Sequence, residues 1–144
     1  MREAGLTVVA SIGDCAASGG YYLAMGCEKI LCDDLSITGS IGVVLGKVSF
    51  GKLLKKIGLN VERISRGKYA ELFSVERSFN PDEDAFWSHV AMESYSDFVS
   101  KAARSRRMPV EDMNRRAQGR VWTGAQAKEL GLVDEIGGLR KAMQ

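Results

Sequence analysis

Ala16-Ala17-Ser18-Gly19-Gly20-Tyr21-Tyr22 follows the apolar run Leu6-Thr7-Val8-Val9-Ala10 and leads into Leu23-Ala24-Met25. An apolar, partly β-branched run closing in small residues, then a serine with two glycines, then apolar residues at helical spacing, reads as strand, tight turn and helix. The turn puts Ser18 at a helix start. The first amides of a helix lack intrahelical partners and carry the positive end of its dipole, so the Gly19 N–H is suited to stabilising a developing oxyanion. The paired glycines also let another backbone approach without meeting a Cβ. Ser18 then reads either as a nucleophile or as an ordinary N-cap, a role serine often fills. The local pattern leaves both open.

A chain of 144 residues, 45% of them hydrophobic, suffices for one compact domain with a core and is short for two. The formal net charge is +2, and the basic residues are scattered among acidic ones, which argues against a nucleic-acid partner. Cys15, Cys27 and Cys32 form no C-x-x-C pair, and with a single histidine they do not make a zinc site. They read as small buried residues. No apolar run reaches eighteen residues and no signal peptide precedes the first strand. Gly46-Lys47 invites a phosphate-loop reading, but that motif wants glycine where Ile41 stands and Ser or Thr where Val48 stands.

Along the chain, Glu28 to Cys32 and Ile41 to Leu45 read as strands, the second of them buried. Phe50, Leu53, Leu54 and Ile57 follow helical spacing, with Ser49 as the expected cap and Gly58 as the stop. Asn60 to Ser65 alternates as a further strand. From Pro81 a long helix is expected, acidic in its first turn and carrying Arg104, Arg106 and Arg107 at its end, with Trp87, Ala91, Tyr95, Phe98 and Ala102 as its buried stripe. His89 lies about 200° round that helix from Trp87 and should face solvent, which leaves no histidine for a Ser-His-Asp triad. Pro109 opens a short helix that stops at Gly119, Arg120-Val121-Trp122 reads as a strand piece, Thr123 caps the next helix, and Leu139 to Met143 forms a final stub. Strands joined through helices give an α/β domain.

Asp14-Cys15-Ala16-Ala17-Ser18-Gly19-Gly20-Tyr21-Tyr22 resembles the nucleophile segment of the signal peptide peptidase A (protease IV) family of serine peptidases. The resemblance continues in order through Leu35-Ser36-Ile37-Thr38-Gly39-Ser40-Ile41-Gly42-Val43, Ser65-Arg66-Gly67-Lys68-Tyr69-Ala70-Glu71, Gln118-Gly119-Arg120-Val121-Trp122-Thr123-Gly124 and Gly131-Leu132-Val133-Asp134. It implies the Clp-protease/crotonase-like fold of repeated strand-strand-helix units. It also implies a Ser-Lys dyad: Ser18 as nucleophile, Gly19 N–H in the oxyanion hole, and Ser40 hydrogen-bonded to the lysine. Read without the family, Ser40 is a turn serine beside Gly39. The substrates implied are remnant signal peptides and other hydrophobic, membrane-derived peptides. A homo-oligomeric ring or bowl associated with a bacterial envelope or chloroplast thylakoid membrane is implied too, with no metal or organic cofactor.

The base is not where single-domain members of the family carry it. Gly67-Lys68-Tyr69-Ala70 has alanine at the lysine position, and Lys68 is displaced by two residues, about 6.5 Å along an extended segment. In long, two-repeat members the N-terminal repeat donates the lysine and the C-terminal repeat the serine. The family also implies an upstream strand and an oxyanion loop that nothing here matches. Residues 1–144 are therefore expected to be a single partial peptidase domain, the C-terminal repeat of a longer protein, inactive in isolation and completed by an N-terminal repeat. The alternatives are a non-catalytic structural or assembly repeat of the same fold, and an acyl-CoA-handling enzyme, which would not need a serine on the helix turn.

Overall fold

Residues 5–144 are described by a computed structural model of mixed α/β architecture. Its elements are β1 (Val9–Ile12), β2 (Cys15–Ala17), α1 (Gly19–Ala24), β3 (Lys29–Cys32), β4 (Ile37–Gly39), α2 (Gly51–Lys56), α3 (Pro81–Ser105), α4 (Val110–Arg116), β5 (Val121–Thr123), α5 (Gly124–Glu129), β6 (Glu135–Ile136) and α6 (Leu139–Ala142). They fall into two compact units, residues 5–43 with 94–144, and residues 44–93.

The first unit holds two three-stranded sheets, ordered β1-β3-β6 and β2-β4-β5. All pairs are parallel except β4 with β5. The successive strands β1 and β2 enter different sheets, and so do β3 and β4. Ile30, Leu31 and Cys32 of β3 are all buried, as expected of a parallel strand covered on both faces. The core gathers Tyr21, Ile30, Ile41, Phe98, Ala102, Ala103, Met113 and Leu132. Each large aliphatic side chain there contributes about 1.5–3 kcal/mol by leaving water. Tyr21 is fully buried, and its hydroxyl donates to the Leu132 carbonyl at 2.8 Å, tying α1 to the C-terminal motif. Burial pushes that phenol's pKa well above its ordinary value.

A second tie closes the same unit. Asp134 accepts from Ile30 N at 2.7 Å and takes a bidentate pair from Arg106 at 3.0 and 2.6 Å. Burial opposes the charged carboxylate, yet the Arg106 and Ile30 hydrogen bonds together hold Asp134 below the usual range. Thr123 and Gln126 cap α5 reciprocally, fulfilling the cap expected at Thr123. Of the three cysteines only Cys32 is buried; Cys27 is half-buried and Cys15 exposed.

The second unit is organised by charge and aromatic rings. Asn80 and Glu83 cap the first turn of α3 reciprocally at 2.8 and 3.0 Å, and Arg77 clamps the buried Glu83 carboxylate with two bonds of 2.6 and 2.7 Å. Those bonds pull the Glu83 pKa down to about 2. Tyr69 stacks on Phe86 at 4.6 Å and Phe73 meets Trp87 edge-on at 5.4 Å.

The expected strands at 41–45 and 60–65 do not form. Ile41 is buried, but the chain beyond it leaves the sheet. Residues 60–66 are exposed throughout and have no backbone hydrogen-bond partner among the described residues. Alternation expresses fitness for a sheet, and without a neighbouring strand it does not make one. Helix α2 forms with Phe50 as its N-cap rather than Ser49, and Phe50, Leu53 and Ile57 stay exposed. Helix α3 ends at Ser105, so that Arg104 lies in its last turn as expected while Arg106 and Arg107 fall just beyond it.

Candidate active site

Parallel pairing of β2 with β4 sets Ala17 opposite Gly39, so that Ser18 and Ser40 leave adjacent strand ends together. Ser18 N donates to Gly39 O at 2.9 Å, extending the ladder by one residue before the chain turns into α1. To make that turn Ser18 adopts φ 52°, ψ −114°. A non-glycine residue there carries about 1–3 kcal/mol of backbone strain. Such a strained strand-to-helix turn lifts a serine hydroxyl clear of the fold. Ser18 is exposed, and its side chain makes no capping hydrogen bond. Ser18 thus stands at the N-cap position of α1 without its hydroxyl capping the helix.

Gly19 is the first residue of α1 and is exposed, and a Cβ there would meet nothing within 4 Å. Its N–H has no acceptor among the described residues. Ser40, half-buried, also has positive φ, 49°, and its N–H donates to Arg120 O at 2.7 Å. Gly119 N donates in turn to Ile41 O at 2.9 Å. Neither Ser18 Oγ nor Ser40 Oγ has a hydrogen-bond partner among the described residues.

The segment 118–124, one of the resembling motifs but given no role at the site from sequence, proves to be the clamp on it. Gly39 has φ +79°, and a Cβ on it would fall 2.7 Å from Trp122 Cδ1; one on Gly42 would fall 2.8 Å from Gly119 Cα. Trp122 Nε1 donates to Arg116 O at 3.0 Å, which fixes the indole against Gly39. Thr38, fully buried, donates from Oγ1 to Ala16 O at 2.8 Å and locks β4 to β2 just before the two serines. The signal was present in the motif order, Thr38-Gly39-Ser40 with Gln118-Gly119-Arg120, but only the fold reveals that the two segments touch.

The segment 65–71 lies in the second unit. Ala70 is exposed in the turn that follows Gly67. Lys68 pairs with Asp82 at 3.1 Å, and that hydrogen bond raises its pKa, the opposite of what a lysine base requires. His89 is exposed on α3 beside Glu93, as its position round the helix implied. Among the described residues no helix is long and apolar enough to cross a membrane.

The model of the family described as peptidase family S49 matches residues 1–144. The chain is 51% identical over 137 residues to the chloroplastic serine protease SPPA of Arabidopsis thaliana, covering 94% of this chain and 20% of that protein. It is 42% identical over 139 residues to a putative protease of Synechocystis, covering 96% and 50%. It is 32% identical over 143 residues to Protease 4 of Haemophilus influenzae, covering 99% and 23%. It thus spans between a fifth and a half of the length of these relatives. A match over the whole chain makes this chain a member of peptidase family S49.

Proposed function

We propose that this chain is the nucleophile-bearing part of a serine endopeptidase with a Ser-Lys dyad. Ser18 Oγ attacks the substrate carbonyl and its proton passes to a neutral lysine. The Gly19 N–H receives the oxyanion, and the protonated lysine then gives its proton to the leaving amine. Water hydrolyses the resulting acyl-enzyme. The lysine comes from an N-terminal repeat of a longer protein, and the Ser40 hydroxyl holds its amine in place. The observation that carries this reading is the strained, uncapped Ser18 beside an unpaired Gly19 amide. Ala70 at the family's lysine position and the engaged Lys68 support a base supplied from outside.

Residues 1–144 are on this account one partial domain of the Clp-protease/crotonase-like type. The sorting of β1 and β2, and of β3 and β4, into different sheets supports it. The substrates are hydrophobic peptides such as remnant signal peptides. The whole protein is a homo-oligomer at a bacterial envelope or chloroplast thylakoid membrane; the name of one relative places that protein in the chloroplast. The chain alone has no peptidase activity.

The test is peptide-amide hydrolysis by the full-length protein. Ser18→Ala should lower turnover by about 10⁶-fold, as removal of a nucleophile that acts as a unit with its base does. Ser40→Ala should cost about 10- to 100-fold, the loss of one hydrogen bond to the base. Turnover by the isolated chain that Ser18→Ala abolishes would overturn the external base. Unchanged turnover in full-length Ser18→Ala would favour the non-catalytic repeat.

A further inference from the structure

Ser40 is held by two ties from segment 118–124, and both run back to the C-terminal end of α4. In the first, Arg120 O accepts the Ser40 N–H at 2.7 Å, while Arg120 Nη1 donates to Arg115 O at 2.6 Å. In the second, Trp122 lies against Gly39, its Cδ1 2.7 Å and its Nε1 3.6 Å from where a Gly39 Cβ would stand, and Nε1 donates to Arg116 O at 3.0 Å. Arg115 and Arg116 lie in the last turn of α4, whose carbonyls have no intrahelical donor, so two side chains of the clamp cap that helix. Tyr95 of α3 steadies the same end: its hydroxyl donates to Asn114 Oδ1 at 2.6 Å and accepts from Gln118 N at 3.2 Å.

The two ties do different things. The bond to Arg120 fixes the position of the Ser40 amide but leaves rotation about the bonds on either side of it. Gly39, at φ +79°, has the freedom that glycine brings, and Ser40 sits at φ 49°, a value that a non-glycine residue keeps only where its surroundings over-determine it. The indole supplies that constraint. It occupies the space a side chain on Gly39 would take, and the antiparallel register sets Trp122 opposite Thr38, whose own hydroxyl is committed to Ala16 O at 2.8 Å. Relaxation at Gly39 is therefore resisted by a ring that is bonded to a helix end.

We infer that Trp122 is a positioning residue for Ser40: its indole, bonded to the end of α4, sets the direction in which the Ser40 hydroxyl leaves the end of β4. The inference rests on the proposed dyad, in which that hydroxyl holds the lysine amine. Trp122 acts through Ser40, so its loss misplaces one hydrogen bond to the base and leaves Ser18 and the Gly19 N–H where they are. A folded Trp122 variant should therefore lose no more turnover than Ser40→Ala does.

The test is a double-mutant cycle in the full-length protein, read by peptide-amide hydrolysis. Trp122→Phe keeps a ring at this position and removes the Nε1 donor. It should lower kcat about five- to tenfold with KM unchanged, because a catalytic geometry slightly out of place costs rate more than binding. In the Ser40→Ala background the same change should cost less than about twofold, since the group it positions is gone. A hydroxyl donating to a neutral amine disfavours the ammonium form, so Ser40→Ala and Trp122→Phe should both move the acid limb of the kcat/KM profile to higher pH. Replacing Trp122 by benzothienylalanine, which keeps the bicyclic ring and loses only the N–H, should show the same coupling with the fold undisturbed. An unchanged kcat in folded Trp122→Phe, an equal loss with and without Ser40, or a loss exceeding that of Ser40→Ala would overturn the inference and leave the dyad standing. Parental turnover in Ser40→Ala alongside an inactive Ser18→Ala would instead remove Ser40 from the dyad, and the role of Trp122 with it.

Discussion

The two units of this chain solve the burial problem differently. Residues 5–43 with 94–144 bury a contiguous core in which Ile30, Ile41, Met113 and Leu132 are wholly enclosed, and their strand ends carry both serines. Residues 44–93 bury Leu72 alone of their large aliphatic side chains, leave Leu53, Ile57 and Ile64 exposed, and rely on the Arg77–Glu83 clamp and stacked rings. One unit positions Ser18, the proposed nucleophile, through packing. The other presents segment 65–71, where the resemblance puts a base lysine and this chain has Ala70. A site built to sub-ångström tolerance belongs on the better-packed part.

The contrast can be broken most forcefully at Gly39. Gly39→Ala forces a side chain into the left-handed region and onto Trp122, and should cost about 2–5 kcal/mol of stability by denaturant titration. A change below 1 kcal/mol would mean that the 118–124 clamp is loose. Tyr21→Phe should cost about 1–3 kcal/mol, since it leaves the buried Leu132 carbonyl unpaired. The second unit should respond to acid instead. The Glu83 pKa is depressed in the folded state, so its stabilising contribution is fully present above an unfolded value near 4.5 and is lost as pH falls towards 2. Tryptophan fluorescence should therefore report loosening around Trp87 across that window, and Glu83→Gln should flatten the response. An acid response identical in Glu83→Gln would assign it elsewhere. At the small end, His89→Ala should leave turnover of the full-length protein unchanged, because the imidazole is exposed beside Glu93. A loss comparable to that of Ser18→Ala would require a histidine mechanism.

How far the sequence could be read divides along the same line. The turn at Ser18, β3, the long α3, the Thr123 cap and the outward face of His89 follow from local residues, because each is decided by neighbours within one or two turns of chain. The strands expected at 41–45 and 60–65 required partners that no local pattern supplies. The apolar spacing of α2 correctly foretold a helix but not that Phe50, Leu53 and Ile57 would remain uncovered. Ser18, Gly19 and Ser40, the residues proposed for the site, come from the resemblance of their motifs. The positive φ of both serines, the Thr38 lock and the contact of Gly42 with Gly119 are products of strand register and tertiary packing.

The central claim is that Ser18 is held in strain for its hydroxyl and not for a cap. The most direct measurement is Ser18→Gly in the full-length protein, read both as melting midpoint and as peptide-amide turnover. Glycine accepts φ 52°, ψ −114° without penalty, so the midpoint should equal or exceed the parent's while turnover falls by about 10⁶-fold. A lowered midpoint with turnover retained, the loss being roughly the few tenths of a kcal/mol that glycine costs in place of a serine cap, would contradict the account.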